Sequence, residues 1–178
     1  DRNQAVTYAL AAILTNGDVI IEDIKPDVLR SFLDKLEEAG AGYEIGDFGI
    51  RFFSKGSIKP TTIETMPHPG FMSDWQPLWG TFMTQATGDS QIIERIYDNR
   101  FQYVVVLTQA GAAITVFDPK PMNPNDYYFF NYTDKSNRET GIKISGPTSL
   151  GPISVPVWDI RYGATLLLAS LIIKDTSE

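Results

Sequence analysis

The chain repeats itself. Ile20-Ile21-Glu22-Asp23 is echoed by Ile92-Ile93-Glu94-Arg95, and Ala39-Gly40-Ala41 by Ala110-Gly111-Ala112. A third copy opens at Asp159-Ile160-Arg161. A single helix–strand unit cannot bury its apolar face alone, so repeated units must close over a shared core. The predicted division is repeat one over 1–66, repeat two over 67–158 with an insertion at 118–140, and a partial repeat three over 159–178. On this reading the chain stops inside its third copy.

The pattern within each copy alternates helix and strand. Val6, Ala9, Leu10, Ile13 and Leu14 recur at helical spacing and predict a helix over 2–15, ended by Asn16-Gly17-Asp18. A strand is expected over 19–24. A second helix opens at Lys25-Pro26-Asp27, because a proline in the first turn sacrifices no hydrogen bond. Gly40 and Gly42 stop it. Residues 43–45 and 50–53 form a hairpin around Gly46-Asp47, and 57–65 is extended. The order then returns as a helix over 74–87, a break at Gly88-Asp89, a strand over 91–96, a helix over 102–110 and a strand over 112–117. A further helix is expected over 162–172. The segment 118–140 is rich in Pro, Asn and aromatics, and a loop that long in a small domain is functional or partly disordered. Residues 127–132 within it admit a strand packed on the domain edge.

Charge and composition narrow the partners. The net charge of -7 repels a nucleic-acid backbone or an anionic membrane. No apolar run reaches the roughly 18 residues that span a bilayer. One histidine, His68, and no cysteine argue against a zinc site and exclude thiol chemistry within the chain. No metal and no cofactor is expected, and the cytoplasm is the expected location. His68 lies between two prolines and reads as a loop residue. The acidic face of Asp34, Glu37 and Glu38 reads as solvated surface.

The stretch from Pro67 to Arg100 gathers the chemistry: PHPGFMSDWQPLWGTFMTQATGDSQIIERIYDNR. It puts a carboxylate, Asp74, at a predicted helix start and a guanidinium, Arg100, in a turn after a strand. A helix start and an arginine fork both favour anions. Asp74 has a plainer reading, as an N-cap accepting backbone N–H groups, with Pro77 at the third helical position. Asp1 and Asp159 stand at the same place in their copies. Arg100 and Arg161 read by default as solvated or ion-paired surface residues.

The motifs PHPGFMSDWQ, IIERIYDNRF and DIRYGATLLLASLI, with the opening DRNQAVTYALAAILTNGDVIIEDIKPDVLRSFLDKLEEAGA, resemble the UDP-N-acetylglucosamine enolpyruvyl transferases, which begin peptidoglycan and hence cell-wall synthesis. The resemblance covers nearly all of the chain outside 118–140. It implies an α/β (α+β) class and an inside-out α/β barrel domain, with helices in the middle and sheets outside. It also implies two substrates, UDP-N-acetylglucosamine and phosphoenolpyruvate, and a second domain not found in this sequence. By motif match Asp74 is the base and Arg100 a catalytic arginine near phosphoenolpyruvate. Ile96 and Tyr97 match positions that touch the sugar nucleotide, and Arg161, Asp159 and Arg2 match further substrate-binding positions. Gln4 and Val6 depart from the family's usual glutamate and glycine, and Trp75 and Trp79 are bulky for a helix that lines a site. This chain alone is expected to show no turnover. The alternatives are a non-catalytic binding module of the same fold and a shikimate-pathway enolpyruvyl transferase.

Overall fold

The computed structural model describes residues 1–152, 154 and 160–173. Helix α1 (Arg2–Leu14) is capped by Asp1, whose carboxylate accepts from the backbone N–H of Asn3 and Gln4. It is followed by strand β1 (Asp18–Glu22), a 3-10 turn at Pro26–Leu29 and helix α2 (Arg30–Glu38). Gly40 ends α2 with a φ of 75°, a left-handed conformation that costs glycine little. The hairpin is β2 (Gly42–Gly46) and β3 (Gly49–Phe53), and β4 (Thr62–Glu64) closes the first half.

The second half runs α3 (Gln76–Met83), β5 (Gly88–Ile93), α4 (Gln102–Gln109), β6 (Ala113–Phe117), a single turn α5 (Pro124–Tyr127), β7 (Gly141–Gly146) and α6 (Ile160–Ser170). Two sheets result, in the orders β1-β3-β2 and β4-β5-β7-β6. In the first, β3 lies between β1 and β2 and is antiparallel to both. In the second, β7 holds the same place between β5 and β6. Strand β4 then pairs parallel with β5, so the first half of the chain contributes an edge to the sheet of the second.

Helix α3 is the centre of the molecule. All eight of its residues are buried, the burial expected of a helix enclosed on every side. Trp79 packs its ring against Phe32, Phe71 and Phe82, with centroids 5.9, 5.5 and 5.1 Å away. Trp75 meets Phe32 and Phe71 edge-on at 6.0 and 5.6 Å. Both indoles find acceptors: Trp79 Nε1 donates to Thr61 Oγ1 and Trp75 Nε1 to Asn3 Oδ1. The two tryptophans therefore fill the core rather than crowd a site. Helices in the middle and sheets outside give the inside-out α/β arrangement. No helix among the described residues is long and apolar enough to cross a membrane.

The bounds of α3 and β5 differ most from the sequence expectation. Helix α3 ends at Met83 instead of near 87, because neighbours take up the backbone that follows. The Thr148 N–H donates to the Thr84 carbonyl and the Thr87 N–H to the Ile58 carbonyl, both at 2.8 Å. Strand β5 accordingly starts at Gly88, opposite Gly146, and ends at Ile93 rather than continuing to 96. Beyond it the Glu94 side chain bonds the amides of Ile96 and Tyr97 and turns the chain. Residues 127–132 form no strand. Their rings stack instead, Tyr128 on Phe130 at 4.7 Å and on Tyr132 at 5.4 Å.

Trp79→Ala is expected to lower unfolding stability by about 3–5 kcal/mol. Phe48→Ala, on a side chain 83% exposed, should change it by less than about 0.5 kcal/mol. Urea unfolding followed by circular dichroism measures both.

Candidate functional site

The site is assembled around a carboxylate that the strand β5 delivers to the interior. Glu94 is 1% exposed. Its Oε1 accepts from Thr65 Oγ1 at 2.8 Å and from the backbone N–H of Ile96 and Tyr97 at 2.8 and 3.2 Å. Its Oε2 accepts from Ser73 Oγ at 2.8 Å. Thr65 Oγ1 in turn accepts from the Arg95 N–H at 2.8 Å, so the hydroxyl is satisfied on both sides. Burial pushes the Glu94 carboxyl above its ordinary range, while these hydrogen bonds pull the other way. Burial, with the Glu94 charge added to it, raises the phenol of Tyr103, which is closed in beside α3.

Ser73 leads directly into Asp74. The loop before it is tight, with the Gly70 N–H on the Pro67 carbonyl and the Met66 N–H on the Phe71 carbonyl, both at 2.8 Å. The Phe71 ring, 5% exposed, anchors the loop in the core. Asp74 itself lies in a turn in which the Trp75 N–H donates to Met72 and the Gln76 N–H to Ser73. Its expected place as the N-cap of α3 is not what forms. Trp75 is the cap, without a side-chain cap bond, and Pro77 falls within the first two helical positions. From this turn the Asp74 carboxylate meets Arg100.

Arg100 Nη2 donates to Asp74 Oδ1 at 2.7 Å. The arginine side chain is 15% exposed and the aspartate 32%. The guanidinium carbon sits 4.6 Å over the ring of Tyr97, whose residue is 50% exposed. An ion pair this accessible adds on the order of 1 kcal/mol or less to stability. Its consequence is geometric, since it brings an acceptor carboxylate and a planar cation together at the surface.

The other predicted site residues fall around this pair to different degrees. Ile96 and Tyr97 form the turn that Glu94 holds. Arg2 is the first residue of α1, next to Asn3, which the Trp75 indole contacts, so the beginnings of α1 and α3 lie side by side. Asp159 and the side chain of Arg161 lie outside the described residues, although α6 packs against both α1 and α3. His68 is exposed in its loop, as are Asp34, Glu37 and Glu38 on α2.

Glu94 is the residue that sequence reasoning missed. It belongs to a repeated Ile-Ile-Glu motif, and its counterpart Glu22 is exposed at the end of β1. The repeat alone gives no sign which glutamate turns inward. The nearest hint is the pair of hydroxyl residues, Thr65 and Ser73, flanking the proline-rich loop.

The insertion after β6 braces the same corner from outside. Arg95 Nε and Nη2 donate to the Tyr127 carbonyl at 3.0 and 2.9 Å, and Nη1 reaches Glu64 at 2.9 Å. The Arg95 guanidinium lies 4.2 Å over the Tyr127 ring. The Phe129 N–H donates to the Arg95 carbonyl at 2.7 Å. The aromatics of the insertion are thus packing groups.

Comparison with known proteins finds relatives along the whole chain. The family described as EPSP synthase (3-phosphoshikimate 1-carboxyvinyltransferase) matches residues 1–178. A UDP-N-acetylglucosamine 1-carboxyvinyltransferase of Protochlamydia amoebophila is 35% identical over 178 residues, covering 99% of this chain and 37% of the relative. One of Rhodopseudomonas palustris is 44% identical over 172 residues, covering 96% and 35%. Among solved structures, the enolpyruvyl transferase NikO from Streptomyces tendae superposes with a TM-score of 0.75 at 21% identity, over 97% of this chain and 37% of that one. EPSP synthase from Acinetobacter baumannii gives 0.65 at 13% identity, over 98% and 37%. The chain therefore spans well under half the length of the relatives it matches.

A carboxyl whose pKa is raised by folding binds its proton more tightly in the folded than in the unfolded state. It favours the folded state as pH falls through that raised pKa and loses this contribution as pH rises. The stability of the wild type relative to Glu94→Gln should therefore grow as pH is lowered from about 7 to about 4. Urea midpoints for both proteins across that range measure it, and a constant difference would argue against a raised carboxyl at this position.

Proposed function

Because the chain belongs to the EPSP synthase family of 1-carboxyvinyltransferases, we propose that it forms part of an enzyme moving the enolpyruvyl group of phosphoenolpyruvate to the 3-hydroxyl of UDP-N-acetylglucosamine. The names of the relatives at 35% and 44% identity support the choice of acceptor within the family. The observation that carries the reading is the contact of Asp74 with Arg100 at 2.7 Å, at the end of a turn built by residues of the site motif.

The reaction adds the sugar hydroxyl to C2 of phosphoenolpyruvate while C3 takes up a proton. Loss of phosphate from C2 and of a proton from C3 then restores the double bond. The hydroxyl must give up its proton as it attacks, which requires a carboxylate within hydrogen-bond reach. Asp74 takes that role. Arg100 aims the Asp74 carboxylate and offers its planar fork to the anionic substrate. Ile96 and Tyr97 meet the sugar nucleotide. Arg2, Asp159 and Arg161 are assigned to substrate binding by motif match. The remaining substrate-binding groups come from the second domain that the resemblance implies. The place of action is the cytoplasm, at the entry to peptidoglycan synthesis.

Thermal unfolding of the full-length protein carrying this chain, with each acceptor, distinguishes this from the shikimate branch of the family. UDP-N-acetylglucosamine should raise the melting temperature and shikimate 3-phosphate should not, since only a ligand that binds the folded state stabilises it. Stabilisation by the shikimate compound alone would reverse the assignment. In the full-length protein carrying this chain, Asp74→Asn should lower turnover by about 10²–10⁴-fold with phosphate release as the readout. Turnover near that of the wild type would reject Asp74 as the base.

A further inference from the structure

We propose that Glu94 is a positioning residue for the Asp74–Arg100 pair, acting by its reach rather than by its charge. Its two oxygens connect three stretches of chain that are distant in sequence: the end of β4 at Thr65, the loop at Ser73 and the turn at Ile96 and Tyr97. Two of those stretches carry the pair. Ser73 is the residue before Asp74, and the turn at Ile96 and Tyr97 leads three residues later to Arg100. One side chain therefore sets the spacing between the two sides of the proposed site.

The side chain is placed for this task and for no contact with substrate. Glu94 is 1% exposed, beneath a pair whose own side chains are 15% and 32% exposed. Its backbone is held as well, since the Glu94 N–H donates to the Thr140 carbonyl at 2.7 Å. An aspartate here would keep the charge, but it is one methylene shorter and cannot span from Ser73 to the amides of Ile96 and Tyr97. A glutamine keeps the length. Its oxygen still accepts from Thr65 and the two amides, and its NH2 donates to Ser73 Oγ, whose own hydrogen turns aside.

The inference deepens the proposed function and rests on it for the identity of the ligand. The test compares Glu94→Asp with Glu94→Gln in the full-length protein carrying this chain. Calorimetric affinity for UDP-N-acetylglucosamine is read alongside the guanidinium NMR signal of Arg100, with fold stability measured separately. Glu94→Gln should stay within about threefold of the wild-type affinity and keep the Arg100 signal. Glu94→Asp should bind about tenfold more weakly and lose the signal, the size expected for one charge-assisted bond. The reverse ranking would mean that charge and not reach matters. Equal affinities, with only stability altered, would mean that Glu94 serves the fold alone. Either result overturns the proposal. If the wild type does not bind the sugar nucleotide, the functional reading fails, and the Arg100 signal alone decides: lost only in Glu94→Asp it upholds the positioning role, and otherwise it refutes it.

Discussion

A carboxylate taken out of water must be given partners, and the corner of this molecule that carries the candidate site is built to provide them. Leaving Glu94 unpaired in the interior would cost several kcal/mol. Thr65, Ser73 and the amides of Ile96 and Tyr97 meet that demand, and in doing so they give up their freedom to move apart. The bend after β5, the placement of the loop before α3 and the course of the turn toward Arg100 all follow from satisfying one buried group.

The rest of the fold makes that corner rigid. Helix α3 begins two residues after Asp74 and is enclosed along its length, with Trp75 and Trp79 locked among Phe32, Phe71 and Phe82. Both sheets place the third strand of their unit between the other two, and β4 stitches one half of the chain onto the sheet of the other. The insertion at 118–140 adds an outer clamp, through the Arg95 guanidinium on the Tyr127 carbonyl and ring. The residue before the clamp is Glu94 itself, so Glu94 and Arg95 point to opposite sides and fasten the same strand end inside and out.

An enolpyruvyl transfer asks little covalent chemistry of the protein. It needs a base close to a hydroxyl, cations for the anionic substrate and a fixed distance between them. The surface pair contributes little to stability. On the proposed reading, the buried network beneath it supplies the fixed distance. A functional site of this kind places its chemistry on the surface and its precision one layer below.

Much of the architecture could be read from the chain itself. Helical and alternating spacings of apolar residues identified α1, α2, α4, β6 and the β2–β3 hairpin, because those patterns are local and each element must turn one face inward. The site motif pointed to Asp74 and Arg100, and the two side chains do meet. Tertiary structure decided what depends on partners far along the chain. It shortened α3 through the bonds of Thr148 and Ile58 to its trailing backbone, and it moved the cap from Asp74 to Trp75. It also buried Glu94 while leaving Glu22, its twin in the repeat, in water. Local spacing records which face of an element is apolar. It does not record which distant hydroxyls and amides will be waiting where a charge turns inward, and only the packed chain brings those together.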